Sequence, residues 1–342
     1  MTQLTPYLNK LLGHEHLTRI DLHHAMEIIM CNDIPEQTAA FLSILKFRGE
    51  NIHEVLSIIE VIKKSSESIE LAYPTLDIVG TGGDNANTVN ISTGSAILAA
   101  ACGIPVTKHG NRAVSSQCGA ADVLEVLGIK IDMNKQMIED CLNQLNLAFL
   151  FAPQFHPALM RLREIRKKMA FPTILNILGP LLNPAHAAYR VIGVAREENL
   201  ELMSDLVANM PEIKDAYVFH SCGLDELTTL GPTQGYRIRS GKKEAMTIDP
   251  LSLGFTTCRL SDLQGGNKFK NAVLLCEALS NKKGAIADAI ILNTAVALLI
   301  TEKFNSLTES VSFARTTLES GMAINTLNKW IAFSEQLTRY SA

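Results

Sequence analysis

Residues 77–94 read DIVGTGGDNANTVNISTG, with Gly80, Gly82 and Gly83 set ahead of Thr88, Asn90, Ser92 and Thr93. Glycines let backbone amides approach an anion with no Cβ in the way, and a helix that follows adds the partial positive charge of its N-terminus. A phosphate or diphosphate fits that combination. A tight strand-to-helix turn with an Asn or Ser cap would use the same residues, and the spacing matches neither the P-loop nor the dinucleotide G-x-G-x-x-G pattern. A second polar segment, KHGNRAVSS at residues 108–116, narrows the choice. Lys108 and Arg112 bring charge, Asn111, Ser115 and Ser116 bring hydrogen-bonding groups, Gly110 permits close approach, and His109 sits among them.

Two further segments carry charge suited to small ligands. HPALMRLREIRKKM, residues 156–169, predicts one helix with Arg163 and Arg166 a turn apart on one side and Leu159, Leu162 and Ile165 as packing residues. A guanidinium held this way suits a small carboxylate, which its planar fork binds through two bonds; a solvated basic face is the plainer alternative. GLDEL places Asp225 beside Glu226. Adjacent carboxylates near a phosphate loop suit Mg²⁺, which takes few protein oxygens and keeps several waters. No Ser, His and Asp arrangement supports covalent catalysis. HEH at residues 14–16 lacks the spacing of a zinc protease, and His23 and His24 fall on different helix faces.

Strands that end in these segments are needed to position them. LDIV runs into Gly80, and GIPVTKHG runs into the second polar segment; YRVIGVA and DAYVFHS are further strand candidates. TGSAILAAAC and ENLELMSDLVANM read as helices between strands. That alternation predicts an α/β region with a mostly parallel central sheet, whose ligand loops lie beyond the carboxyl ends of the strands. Residues 17–66 repeat apolar side chains at helical spacing, as in LTRIDLHHAMEIIM and IHEVLSIIEVIKK. In CNDIPEQ, Asn32 or Asp33 is expected to cap a helix that has Pro35 near its first position. The fold class is therefore α/β, a small helical domain plus a larger α/β domain.

Composition sets the outer limits. The chain has 342 residues, 47% of them hydrophobic and 19% charged, more than the ~100–200 residues of a usual single core. A formal net charge of −4 argues against gripping nucleic acid or an anionic membrane through overall charge. The apolar run at residues 284–300 contains Asp288 and Asn293 and reads as a buried helix, not a membrane span. The seven cysteines have no C-x-x-C spacing and read as reduced thiols. With no basic start followed by an apolar block, no secretory leader is expected, and the expected location is cytoplasmic.

Taken in order, GTGGD, NIST, KHGNRAVSS, ADVLEVLG, FLFAPQFHPALM, NILGPLLNPA and GLDEL resemble the anthranilate phosphoribosyltransferase family. The resemblance implies a helical domain of residues 1–73 joined by 159–187, beside an α/β domain of 74–158 and 188–342, the architecture of the type II nucleoside phosphorylases. It implies transfer of the phosphoribosyl group of 5-phosphoribosyl 1-diphosphate (PRPP) to the amine of anthranilate in tryptophan biosynthesis, with Mg²⁺ as cofactor. It also implies a homodimer through the helical domains. Nothing in the sequence specifies an anthranilate synthase partner. A pyrimidine nucleoside phosphorylase and a non-catalytic nucleic-acid-binding relative are the alternatives within the fold.

Carried over by motif, Gly80, Gly83, Asp84 and Thr88 would bind PRPP, with Asn90, Ile91, Ser92 and Thr93 from the helix start. The second segment would add Lys108, His109, Gly110, Asn111, Arg112, Ala113, Val114, Ser115 and Ser116. Gly80, Asn111 and Arg166 would contact anthranilate, while Ser92, Asp225 and Glu226 would hold Mg²⁺. No residue is assigned as a covalent nucleophile. The chain departs from the family pattern at Gln117, Cys118 and Ala120. Ala120 replaces a serine that contacts PRPP, and losing one neutral hydrogen bond is worth ~0.5–1.5 kcal/mol.

Overall fold

The computed structural model describes residues 3–113 and 117–340. They divide into two compact units, one of Met1–Ser68 with Ala152–Pro184 and one of Ile69–Phe151 with Ala185–Ala342.

The first unit is helical, built on Thr5–Leu12, Arg19–Cys31, Pro35–Arg48 and Ile52–Lys64. Capping boxes start two of these helices, Thr18 with Asp21 and Asn51 with Glu54, each satisfying backbone donors that the first turn leaves unpaired. The apolar stripes meet in a core that includes Leu22, Met26, Phe41, Leu45 and Ile58. Neither Asn32 nor Asp33 caps the third helix. Its N-cap is Ile34, with no side-chain bond and Pro35 in the first turn. The proline ring presets φ and has no N–H to satisfy. Asn32 instead donates Nδ2 to Ile28 O at 2.9 Å, closing the preceding helix.

The expected single helix over 156–169 is two short ones, Pro157–Arg161 and Arg163–Met169. Leu162 is buried and bonds back only to Leu159 O, at 3.1 Å, so the i→i−4 ladder is interrupted there. Arg163 is exposed and Arg166 half-buried.

The second unit carries a seven-stranded sheet: β1 Leu76–Gly80, β2 Val106–Gly110, β3 Leu147–Phe151, β4 Tyr189–Gly193, β5 Asp215–His220, β6 Thr233–Arg239 and β7 Lys242–Ile248. The order is β3-β2-β1-β4-β5-β6-β7. Neighbours among the first five pair parallel, and β6 and β7 add an antiparallel hairpin. β3, β6 and β7 have no counterpart among the strands expected from sequence. β3 is LAFLF, buried at every residue; covered on both faces, it shows none of the alternation that marks a half-exposed strand. The helix Ala285–Ile300 is buried along nearly its whole length, as expected for the apolar run. Among the described residues, no helix is long and apolar enough to cross a membrane.

Candidate active site

Four adjacent parallel strands, β2, β1, β4 and β5, end together. The register pairs Gly80 with Gly193 and Gly193 with Phe219, and Gly110 pairs with Phe151 on the outer side. The strand order reverses between β1 and β4, the crevice where open α/β sheets take ligands.

Asp225 occupies that crevice. A Cβ on Gly80 would lie 2.3 Å from Asp225 Oδ2, and one on Gly193 would lie 1.8 Å from Asp225 O, so no side chain fits at either strand end. Past Gly80, Gly82 and Gly83 take φ of +71° and +89°, a region open mainly to glycine. This turn aims Gly82 N at Asp225 Oδ2, 2.6 Å away. Glu226 reaches the other way, where its Oε1 accepts from Ser92 N at 3.0 Å in the first turn of the helix Ile91–Ala101. Lys108 Nζ, buried, donates to Ile78 O at 2.7 Å and to Ser92 Oγ at 3.2 Å. The glycine turn, the helix start and the acidic pair are thus bonded into one cluster.

Its electrostatics are unbalanced. Burial pushes the Asp225 carboxyl well above its ordinary value, and the neighbouring Glu226 and Asp84 push it further. Burial likewise pushes Glu226 up to about 7, against the opposing pull of Lys108 and the Ser92 N–H. Burial lowers the Lys108 ammonium, against the attraction of Asp77, Glu226 and Asp225. Buried carboxylates in excess of the nearby ammonium favour either bound protons or an added cation. Among the described residues, no group of three or more His, Cys, Asp or Glu side chains is placed to hold a metal by itself. Two carboxylates and a hydroxyl, all oxygen donors, suit an ion such as Mg²⁺ that completes its shell with water and phosphate.

The remaining predicted residues that the structure describes have their own local partners. Asp84 Oδ1 caps its own turn by accepting from Ala86 N at 3.1 Å. Thr88 forms an isolated bridge with Gln264. Ile91 and Thr93 side chains are buried, which leaves their backbones for any ligand. Lys108 and His109 lie on β2, and His109 N donates to Asp77 Oδ1 at 3.2 Å. A Cβ on Gly110 would lie 2.7 Å from Phe149 Cε2. Asn111 Oδ1 accepts from Arg112 N at 2.7 Å. The Arg112 guanidinium pairs with Glu125 at 2.6 Å and lies 4.9 Å from the Phe151 ring centroid. Val114, Ser115 and Ser116 lie outside the described residues. Ala120 opens the helix Ala120–Val126.

Arg166 belongs to the helical unit. Among the described residues its Nε is buried with no hydrogen-bond partner, and burial lowers the guanidinium from its ordinary value. A buried, unpaired charged donor is costly, and an anionic ligand would relieve it.

Two family descriptions match the sequence: "Glycosyl transferase family, helical bundle domain" over residues 5–66 and "Glycosyl transferase family, a/b domain" over residues 72–324. The chain is 48% identical to the anthranilate phosphoribosyltransferase of Chlamydia felis (strain Fe/C-56) over 334 residues, 98% of this chain and 97% of that one. The chain belongs to the anthranilate phosphoribosyltransferases of this glycosyl transferase family. Solved structures agree. The enzyme from Thermus thermophilus superposes with a TM-score of 0.88 at 35% identity, covering 96% of this chain and 99% of that one. The enzyme from Saccharomyces cerevisiae in complex with PRPP and Mg gives 0.89 at 28% identity, with 97% and 98% covered.

Several residues that fix these segments had no role assigned from the sequence, although Asp122 falls within ADVLEVLG and Asn293 within the apolar run. Asp122 Oδ2 accepts from both Ala113 N and Gly119 N at 2.8 Å, tying the two sides of the second polar segment. Asn293, buried in the apolar helix, accepts from Leu227 N at 3.3 Å and donates to Leu227 O at 2.8 Å, fixing the residue after Glu226. His220 links Val194 O at 2.8 Å to Gly223 N at 3.2 Å. The one sequence signal for Asn293 was an amide in an otherwise apolar run, which calls for a buried partner.

Proposed function

We infer that the chain transfers the phosphoribosyl group of PRPP to the amine of anthranilate and releases diphosphate, with Mg²⁺ as cofactor. The observation that carries the reading is the cluster at the strand crossover. A glycine turn, a helix N-terminus and a buried carboxylate pair with more negative than positive charge converge there. Ser92, Asp225 and Glu226 would hold Mg²⁺. Bound there, the ion supplies positive charge to the departing diphosphate, so that no acid catalyst is required.

The chain's own residues do the rest by position and charge. The glycine turn at Gly80–Gly83–Asp84, Thr88 and the backbone of residues 90–93 would take the diphosphate and ribose, together with residues 108–116. Lys108 holds Ser92 Oγ in place and offsets part of the carboxylate charge. Arg166 is assigned to the carboxylate of anthranilate, and Gly80 and Asn111 to the remainder of that substrate. The unpaired Arg166 Nε supports this role. Ala120 offers PRPP no hydroxyl, leaving backbone contact at that position.

The reading includes a homodimer formed through the helical unit, where Leu12, Ile20 and Phe47 are 63%, 69% and 85% exposed. It also includes a cytoplasmic location, consistent with seven free cysteines. The direct test is loss of anthranilate fluorescence on mixing the protein with PRPP and Mg²⁺. Folded protein that consumes no anthranilate would refute the reading.

A further inference from the structure

We propose that Asn271 is a positioning residue for PRPP, acting through Asn90; the proposal rests on the phosphoribosyl-transfer reading above. Asn271 starts no recognised motif and lies 181 positions from Asn90 in sequence. It is 1% exposed, on the helix Lys268–Leu279.

Its amide sits in a chain of bonds whose direction is fixed at both ends. Gly266 N donates to Asn271 Oδ1 at 2.8 Å, Asn271 Nδ2 donates to Asn90 Oδ1 at 2.9 Å, and Asn90 Nδ2 donates to Cys118 O at 3.1 Å. A backbone N–H can only donate and a backbone carbonyl can only accept. The two ends therefore force both intervening amides into one orientation. Asn90 has no freedom to turn over, and its backbone leads directly into Ile91 and Ser92 at the helix start that meets Glu226. Cys118 lies two residues past the second polar segment, so the chain of bonds ties the helix start at Asn90 and the exit of that segment to one remote helix.

Backbone pairing reinforces the same join. Val89 N donates to Leu263 O at 3.0 Å and Gly265 N to Asn87 O at 2.9 Å, on either side of the Thr88–Gln264 bridge. Residues 263–266 thus brace the stretch between the glycine turn and Asn90. A Cβ on Gly265 would lie 2.4 Å from Asn271 Oδ1 and 3.0 Å from Thr88 O. The bond network leaves that position only a hydrogen.

The test compares wild type, Asn271→Leu, Asn90→Ala and the double variant by anthranilate consumption with PRPP and Mg²⁺. Asn271→Leu keeps the bulk and removes the bonds. It is expected to raise the KM for PRPP roughly 3–10-fold, the loss of one or two neutral hydrogen bonds, while the KM for anthranilate changes less than about twofold. In the Asn90→Ala background the same substitution should add less than about twofold, because its effect runs through Asn90. Gly265→Ala leaves Asn271 in place but crowds its amide, and is expected to give the same split between substrates; it serves if Asn271→Leu fails to fold. An unchanged KM for PRPP, equal rises for both substrates, or effects of Asn271→Leu and Asn90→Ala that multiply would each overturn the proposal. Wild-type turnover separates this from the underlying reading: its absence refutes phosphoribosyl transfer itself, whereas normal wild-type turnover with unaffected variants refutes only the role of Asn271.

Discussion

Two buried acidic sites, one in each unit, show opposite solutions to the same physical problem. In the helical unit, Glu54 is 1% exposed. It accepts from Leu17 N at 3.0 Å, from Asn51 N at 3.1 Å and from the guanidinium of Arg48, which is itself nearly buried. Burial raises its carboxyl, but the bonds from Arg48, Asn51 and Leu17 outweigh that and hold it below the ordinary value. In the α/β unit, burial pushes Asp225 and Glu226 up; Glu226 and Asp84 push Asp225 further, and Asp84 adds to the rise of Glu226. Each accepts from a backbone N–H, and among the described residues Lys108 is the cation that offsets them. The Glu54 carboxylate is charge-matched by Arg48, although among the described residues Arg48 Nε keeps no hydrogen-bond partner. The second site keeps an unfavourable charge balance that bound protons or an added cation would relieve, the pattern expected of groups kept for chemistry.

Neutralising each site separates the two roles most sharply. Glu54→Gln leaves Arg48 charged and buried, a loss of about 3–5 kcal/mol in stability by the usual cost of a broken buried pair. It should appear as a large drop in the denaturation midpoint, with kcat/KM unchanged for the protein that remains folded. Asp225→Asn should do the reverse. Its amide oxygen still accepts from Gly82 N, and carboxylate repulsion falls, so the midpoint in Mg²⁺-free buffer should hold or rise. Turnover should fall roughly 100-fold or more, the scale of losing one charge-stabilising group. A similar stability loss in both variants would erase the distinction.

The same contrast explains how much was legible in the sequence. The candidate cluster could be picked out from the sequence because its geometry is locally encoded. Glycines at Gly82 and Gly83 supply positive φ, the strand LDIV ends beside them, and Asp225 and Glu226 are adjacent. What escaped is held by pairs far apart in the chain. Asn271 and Leu17 look like ordinary polar and apolar residues until folding joins them to Asn90 and Glu54, and Leu227 gives no hint that the buried Asn293 fixes it. β3 was hidden by its uniform burial. The β6–β7 hairpin had a usable cue, since Ser240 and Gly241 both take positive φ in its two-residue turn, the geometry that Ser-Gly pairs favour between strands. The break at Leu162 depends on packing and has no local marker, although Arg166 could be singled out without it.

Arg166 tests whether an unpaired buried donor reads out as substrate recognition. Arg166→Ala is expected to raise the KM for anthranilate roughly 10–150-fold, the value of a charge-assisted hydrogen bond, with a much smaller change for PRPP. Equal changes for both substrates would place Arg166 with structural residues such as Arg48.

The smallest effect, and the one that ties both acidic sites to a common variable, is pH. Glu54 has a depressed value, so its contribution is present above the ordinary carboxyl range and is lost as acid protonates it in the folded state. Glu226 has a raised value, so the folded protein is best off below the ordinary 4.5 and loses stability as pH climbs toward about 7. In Mg²⁺-free buffer, Glu226→Gln should therefore gain on wild type as pH rises from about 5 to 8, by a few degrees in Tm, since a chain longer than roughly 250 residues shifts by less than about 2–4 °C per kcal/mol. Glu54→Gln should instead narrow its deficit as pH falls below about 4.5, because wild type then loses the same charge. Adding Mg²⁺ should shrink the gain of Glu226→Gln at pH 8 and leave the Glu54→Gln deficit untouched. A Glu226→Gln difference that is flat with pH, or indifferent to Mg²⁺, would mean that its carboxylate is as well satisfied as Glu54 and that the charge imbalance at the strand crossover is not what recruits the ion.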